Sequence, residues 1–209
     1  LHSFDGGKIG IFGIGGMSER NKNFTLAKEL ITRASKSGMH ILFSGENGIS
    51  PEIIKGSRGV NGAMFSLNVR KGVLASHRDL PWANGVRQLQ MNYFFLRKTA
   101  FCKFSKAFIF FPDGLEAWDA LSEIITLMQT GKIKSRPVIL VGSKSWAGFL
   151  QWLRDELLAA GYISEKDLEI MTIADTADEA MEVLESSSPV GVRSVLKLFK
   201  KGRLSWPKV

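Results

Sequence analysis

The chain has 209 residues and a mass of 23.1 kDa, which suits one large domain or one domain with a short appendage. Its composition, 44% hydrophobic and 23% charged, is typical of a globular protein and excludes a disordered or fibrous one. A single cysteine, Cys102, excludes a disulfide framework. Three histidines without a ligand spacing give no zinc pattern, so neither a metal nor a cofactor is expected.

The charge divides the chain into two parts. The formal net charge is +8, but the segment 186–209 contains six basic residues and no acid, so the first 185 residues carry only +2. We therefore expect one α/β domain over 1–185 and a basic, helical C-terminal tail over 186–209. The apolar runs are too short to span a bilayer, and no signal segment opens the sequence, so a cytoplasmic location is expected.

Short apolar runs alternate with longer segments of helical periodicity, which is typical of a parallel α/β fold. The predicted strands cover 8–14, 40–43, 63–69, 107–111, 137–141 and 168–173. The predicted helices include one ending near Gly38, one beginning at Ser50 and Pro51, and others over 146–160 and 176–185.

The segment 84–104 is predicted to be a helix that is apolar almost all round, with Arg97 inside it. Such a helix is expected to be buried on several sides, by the sheet and by a second subunit. Ligands of open parallel sheets bind beyond the carboxyl ends of the strands. Three turns at such positions are candidates for ligand contact, at 13–20, 44–50 and 112–117.

Four segments resemble the motifs of one known family. Ser44-Gly45-Glu46-Asn47-Gly48-Ile49-Ser50-Pro51-Glu52 occupies the place of GGGPGIMEA, and Phe95-Leu96-Arg97-Lys98 resembles an FxxRK helix. Residues 112–120, PDGLEAWDA, occupy the place of PGGxGTxDE, and 126–133, TLMQTGKI, are similar to TLxQTGKI. The family is the LOG ("Lonely Guy") type, often labelled lysine decarboxylase.

The resemblance implies a Rossmann-like three-layer α/β/α fold with a mostly parallel sheet. It also implies a homodimer that hydrolyses nucleoside 5′-monophosphates to a free base and ribose 5-phosphate. In the family, PGGxGT supplies the phosphate cradle, the glutamate eight residues after the proline supplies the catalytic carboxylate, and the RK arginine, here Arg97, helps to place the substrate.

The sequence departs from that pattern at the decisive positions. The glutamate position is Ala120 and the threonine position is Ala117. Acidic residues replace glycines of the two loops, namely Asp113, Glu116 and Glu46. The acids that could replace the missing glutamate are Asp119, one residue away, and Glu123, one helical turn further along roughly the same face.

The candidate catalytic residues are therefore Arg97, Glu123 and Asp119. The candidate ligand-binding residues are Gly13, Gly15, Gly16, Ser44, Gly45, Glu46, Gly48, Glu52, Arg97, Lys98, Asp113, Gly114, Leu115, Glu116 and Ala117. Arg97 has two interpretations, a contact with a ligand phosphate or carboxylate and an internal salt bridge with Glu46, Asp113 or Glu116. Glu52, Asp113 and Glu116 are also explained as acids that stabilise helix N-termini.

These observations favour a diverged LOG-like nucleotide-binding protein with weak or lost phosphoribohydrolase activity, acting as a homodimer on a small nucleotide-like ligand. One alternative is an active hydrolase of AMP, CMP or GMP that uses Glu123 or Asp119. Another is a carrier or binding module for a pterin or nucleotide cofactor. The basic tail either contacts nucleic acid or another anionic surface, or packs its apolar edge on the body or the second subunit, and the second interpretation is favoured.

Overall fold

The computed structural model describes residues 7–15, 17–44, 51–55, 62–69 and 86–186. The chain divides into two compact units, Leu1–Phe108 and Ile109–Val209. The predicted boundary between a domain and a tail at residue 185 stays a prediction.

The strands form a parallel sheet, as predicted. They are β1 (Lys8–Phe12), β2 (His40–Ser44), β3 (Met64–Val69), β4 (Val86–Met91), β5 (Ala107–Phe110), β6 (Val138–Val141) and β7 (Met171–Ala174). Their order is β4-β3-β2-β1-β5-β6-β7. The pairs β1–β2, β2–β3, β3–β4 and β6–β7 are all parallel. This arrangement confirms the α/β, Rossmann-like fold class.

Helices connect the strands. They are α1 (Phe24–Lys36), α2 (Pro51–Lys55), α3 (Phe94–Phe104), α4 (Leu115–Gln129), α5 (Ser143–Trp152), α6 (Glu165–Leu168) and α7 (Ala177–Glu185). A π-helical segment, Leu153–Leu158, continues α5 without a break. Pro51 occupies the first helical position of α2, as the sequence predicts. None of the described helices is long and apolar enough to cross a membrane.

The prediction of a single helix over 84–104 is wrong in its first part. Residues Val86–Met91 form β4, which pairs in register with β3, and the helix begins only at Phe94. The residues of β4 are all partly or fully exposed, so tertiary pairing rather than a buried apolar face decides their conformation.

The expected burial of α3 is also only partly correct. Arg97, Ala100, Phe101 and Cys102 are buried, but the apolar residues at its start are exposed. The exposed fractions are 61% for Tyr93, 44% for Phe94, 60% for Phe95 and 40% for Leu96.

The predicted strand over 168–173 is displaced towards the C-terminus. A short helix, α6, occupies Glu165–Leu168, and β7 begins at Met171. The helix is fixed by a capping box, in which the Asp167 carboxylate accepts hydrogen bonds from the backbone N–H of Ser164 at 2.7 Å and from its hydroxyl at 2.8 Å.

The core of the first unit lies between β1, β2 and the buried face of α1. Ile9 is in register with Ile41, and both are fully or nearly fully buried. Gly10 of β1 allows an unusually close approach. A Cβ atom at this position would lie 2.9 Å from the Ser105 Oγ and 3.1 Å from a ring carbon of Phe101. The absence of a side chain therefore brings the end of α3 close to β1.

His40, the first residue of β2, is hydrogen-bonded to Ala63, the residue that precedes β3. Its Nδ1 accepts a hydrogen bond from the backbone N–H of Ala63 at 2.9 Å, and its ring meets Phe65 edge-on at 6.3 Å. Burial, together with the charge of Lys8, lowers the pKa of His40. The ring is therefore held neutral, which leaves Nδ1 able to accept the hydrogen bond.

The second unit has its core on β6 and β7. Every residue of these two strands is buried, and Val138 is in register with Met171. The largest side chain of this core, Trp146 of α5, is 2% exposed, and its indole N–H donates to the Val141 carbonyl oxygen at 3.1 Å. The buried polar atom of the indole is thus satisfied.

Candidate functional site

In the first unit, candidate residues lie at the carboxyl ends of β1 and β2. These strands are parallel neighbours, so the turn after β1 begins close to Ser44, the last residue of β2. Gly13 has φ +80°, a conformation that side chains rarely adopt, and Gly15 is half-exposed. The candidates Gly16, Gly45, Glu46 and Gly48 lie outside the described residues. Glu52 is in α2, but its side chain is not described.

Arg97 is the buried cation of the first unit's site. Only 2% of the residue is exposed, and its guanidinium lies over the Phe94 ring at 4.4 Å. Four residues further along α3, Phe101 contacts Phe12 with ring centroids 4.5 Å apart. Because residues four apart share a helix face, Arg97 lies on the face that meets the carboxyl end of β1. Lys98 is half-buried, with its Nζ 5.6 Å from the Phe94 ring.

In the second unit, the candidate residues surround the N-terminus of α4. Gly114 is the N-cap and makes no side-chain cap, and a Cβ atom there would meet nothing within 4 Å. Asp113, Leu115 and Glu116 are exposed, whereas Ala117 is buried. The start of α4 is therefore exposed, and it carries the partial positive charge of the helix N-terminus.

The other two long helices of the second unit have protein groups at their N-termini. The Asp175 carboxylate accepts from the backbone N–H of Ser143 at 2.7 Å, which caps α5. The Thr176 hydroxyl oxygen accepts from the Glu179 N–H at 3.2 Å, which caps α7. An anion therefore meets an internal oxygen acceptor at α5 and α7. The N-cap of α4 is Gly114, which has no side chain that could cap the helix, so the start of α4 is a candidate position for a ligand anion.

The two acids of α4 that could replace the catalytic glutamate lie in different environments. Ala120, at the position that the resemblance assigns to the catalytic glutamate, is 6% exposed, so a small methyl group fills that buried place. Asp119 is exposed. Glu123 is half-buried, and its Oε2 atom is shielded from solvent. Of the two candidate replacements, Glu123 is the one that turns towards the interior.

Sequence reasoning missed two features of the site. The first is Phe94 beneath the Arg97 guanidinium, which a helix predicted from residue 84 did not single out. The second is the cap of α5 by Asp175, although an acid directly after a strand is a recognisable signal. Within the described ranges, no group of three His, Cys, Asp or Glu side chains is placed to hold a metal ion.

Several plant enzymes are similar to part of the chain. The cytokinin riboside 5′-monophosphate phosphoribohydrolase LOG3 of Arabidopsis thaliana is 35% identical over 102 residues, which are 49% of this chain and 47% of the relative. The probable enzyme of the same name LOGL2 of Oryza sativa subsp. japonica is 30% identical over 113 residues, or 54% of this chain and 46% of the relative. The chain thus spans about half the length of the curated relatives it matches.

Solved structures share the fold at low sequence identity. The molybdenum cofactor carrier protein of Chlamydomonas reinhardtii has a TM-score of 0.55 and 16% identity, with 86% of this chain and 96% of that chain covered. The molybdenum cofactor binding protein of Rippkaea orientalis has a TM-score of 0.58 and 17% identity over the same shares. At this identity the likeness shows the fold alone.

The family model described as "possible lysine decarboxylase" matches residues 47–184. This range is more than half of the chain and includes Arg97, the N-terminus of α4 and both candidate acids. The family match and the plant relatives agree with the motifs read from the sequence. The chain therefore belongs to the possible lysine decarboxylase family, the LOG-type group of Rossmann-like proteins.

Proposed function

We propose that this chain is a diverged LOG-like protein that binds a nucleotide-like ligand and has weak or lost phosphoribohydrolase activity. The family match supports the ligand class, since the plant relatives are named for action on a nucleoside 5′-monophosphate. The buried Arg97 and the exposed N-terminus of α4 are each suited to binding a phosphate.

The observation that carries the loss of activity is the buried methyl group of Ala120. Cleavage of an N-glycosidic bond builds positive charge on the ribose ring, and a carboxylate beside the ring stabilises that charge. A methyl group offers no such stabilisation and cannot orient the attacking water. Unless another acid takes the place of this glutamate, the transition state loses its main electrostatic partner.

The exposed acids at the start of α4 weaken phosphate binding rather than abolish it. A carboxylate about 4 Å from a phosphate costs roughly 1–4 kcal/mol, depending on the local dielectric. Asp113 and Glu116 are both exposed, so solvent screens them and the cost falls at the lower end of this range. In the first unit, which contains Arg97, residues 1–108 include sixteen basic and six acidic residues, a net charge of +10 that attracts anions to that unit.

Thermal unfolding with AMP, GMP, CMP or ribose 5-phosphate, together with a base-release assay, tests the proposal. A ligand at a hundred times its dissociation constant adds about 2.7 kcal/mol, and each kcal/mol raises the melting temperature of a chain this long by roughly 2–4 °C. We expect a shift of several degrees and turnover well below about 1 s⁻¹. No shift with any of the four ligands would contradict binding, and turnover at or above that rate would contradict the loss of activity.

The half-buried Glu123 favours a second candidate, an active hydrolase in which this residue replaces the glutamate. Glu123→Gln should then abolish base release while the melting temperature stays unchanged. The exposed neighbour Asp119 provides the matched control, because Asp119→Asn should leave turnover intact. Equal turnover in wild type and Glu123→Gln would exclude this candidate.

The shared fold also supports a third candidate, a cofactor carrier, since two structural neighbours are named for carrying or binding the molybdenum cofactor. A carrier for a pterin cofactor should purify with absorbance above 300 nm, whereas a carrier for a nucleotide cofactor should release a nucleotide that chromatography of the denatured protein detects. A protein that purifies with neither would contradict the carrier function.

The homodimer implied by the family is supported by the apolar start of α3. Tyr93 and Phe95 stack with centroids 5.7 Å apart and are both about 60% exposed, next to the buried Arg97. A second subunit on this surface would cover both rings. Sedimentation equilibrium should give a dimer for the wild type and a monomer for Phe95→Glu; a wild-type monomer would contradict the proposed dimer.

A further inference from the structure

A line of apolar side chains crosses the surface of α4 and α5 in the second unit. It consists of Leu115, Trp118, Phe149 and Trp152, which are called the aromatic ladder below. The Trp118 and Phe149 rings are 4.4 Å apart, and Phe149 stacks on Trp152 at 6.5 Å. Leu115 is 86% exposed and Trp152 is 50% exposed.

The aromatic ladder is anchored to the core of its unit. The Trp118 ring lies 5.6 Å from the ring of Trp146, which is buried and hydrogen-bonded to the Val141 carbonyl oxygen. Apolar residues exposed singly are ordinary, but a contiguous apolar surface that joins two helices marks an interaction site. A fixed position makes this surface a suitable platform for a second element.

The charge around the aromatic ladder selects a basic partner. Residues 109–186 contain fourteen acidic and six basic residues, a net charge of −8. Exposed acids directly follow two ladder residues, Glu116 after Leu115 and Asp119 after Trp118, and the exposed Glu156 lies four residues beyond Trp152. A partner with apolar groups on one face and basic groups on another would complement both the rings and the net negative charge of 109–186.

The chain itself contains such a partner in residues 187–209. This segment has six basic residues and no acid, so its charge opposes that of 109–186. At helical spacing, its apolar residues Val195, Leu196 and Phe199 lie on one face, with basic residues on another. The segment begins two residues after Glu185, the end of α7, in the same unit as the aromatic ladder, and the eight residues before Val195 reach about 26–29 Å when extended.

We propose that residues 187–209 dock on the aromatic ladder of their own chain, with their apolar residues on the rings and their basic residues against the surrounding acids. Attachment to the same chain raises the effective concentration of the segment near the ladder. The interaction closes an apolar surface beside α4 and neutralises most of the excess negative charge of 109–186.

Disulfide trapping tests the proposed contact directly in the full chain. Leu196→Cys combined with Trp152→Cys should form an intrachain disulfide under mild oxidation, whereas Leu196→Cys with Tyr162→Cys should not. Tyr162 is a suitable control because it is 77% exposed and lies outside the aromatic ladder. Equal trapping at both positions, or bonds that form only between two chains, would overturn the proposal.

Tryptic cleavage of the tail provides a second readout that needs no engineered cysteine. The double variant Trp118→Ala/Trp152→Ala should be cleaved within 187–209 roughly tenfold faster than the wild type, because cleavage follows the population of the undocked form. Tyr162→Ala should match the wild type. Equal rates in all three proteins would overturn the proposal, as would protection that arises only when anionic lipid vesicles are added.

Discussion

The close approach at Gly10 gives a quantitative test of how α3, and with it Arg97, is positioned. In Gly10→Ala the new Cβ atom would lie 2.9 Å from the Ser105 Oγ, 3.1 Å from a ring carbon of Phe101 and 3.3 Å from a ring carbon of Phe108. All three neighbours are buried, so space must come from displaced side chains or from movement of α3. Overpacking of this kind costs about 1–3 kcal/mol, which lowers the melting temperature of a chain this long by roughly 2–12 °C.

Differential scanning calorimetry of Gly10→Ala measures this loss, and Gly148→Ala is the matched control. Gly148 lies in α5, where a Cβ atom would meet nothing within 4 Å. Alanine should therefore raise the free energy of unfolding by about 0.5–1 kcal/mol through its better helix propensity. If Gly10→Ala melts at the wild-type temperature or above, α3 is not held against β1 as tightly as these distances indicate.

Two further predictions concern His40 and Arg97. Folding lowers the pKa of His40, so the unfolded chain binds a proton there more readily than the folded one. The contribution of the neutral His40 to the free energy of unfolding should therefore be fully present above about pH 6.5 and should decrease as the pH falls from this value towards the lowered pKa. Urea midpoints from pH 5 to 8 should show this decrease, and His40→Gln should remove part of it; an unchanged pH profile would contradict the assignment. Arg97→Lys keeps the charge but loses the planar contact with Phe94, so it should weaken nucleotide binding about tenfold in thermal-shift titrations. The exposed Lys103→Met should bind as the wild type does, and equal binding by Arg97→Lys would show that Arg97 has only a structural role.

Buried apolar runs made most of the strands predictable from the sequence. The run Ala107–Phe110 is entirely buried, and both its length and its composition are typical of an inner parallel strand. β4 could not be found in this way, because its partly exposed residues are held by pairing with β3, which local sequence does not encode. The short helix α6 could have been predicted from the sequence, since Ser164 and Asp167 have the spacing of a capping box.

The sequence was enough to predict which residues belong to the candidate site, but not how buried each of them is or what it contacts. Motif spacing identified Arg97 and the start of α4, yet the sequence gives no measure of burial. Only the structure shows that Ala120 is buried, that Asp119 faces solvent and that Glu123 turns inward. It also shows that Arg97 rests on Phe94, a contact that depends on where α3 begins. Such distinctions arise from packing between distant segments.

The π-helical segment after α5 has a consequence for changes in chain length. In a π-helix each hydrogen bond spans five residues instead of the four of an α-helix, so one turn contains an additional residue. Here the Ala159 N–H donates to the carbonyl oxygen of Arg154, five residues earlier. Deleting one residue within Leu153–Leu158 would restore α-helical winding and leave Trp152 in place. The segment is therefore a position at which a single-residue deletion is absorbed locally, whereas the same deletion in β6 would turn its following side chains to the opposite face of the strand.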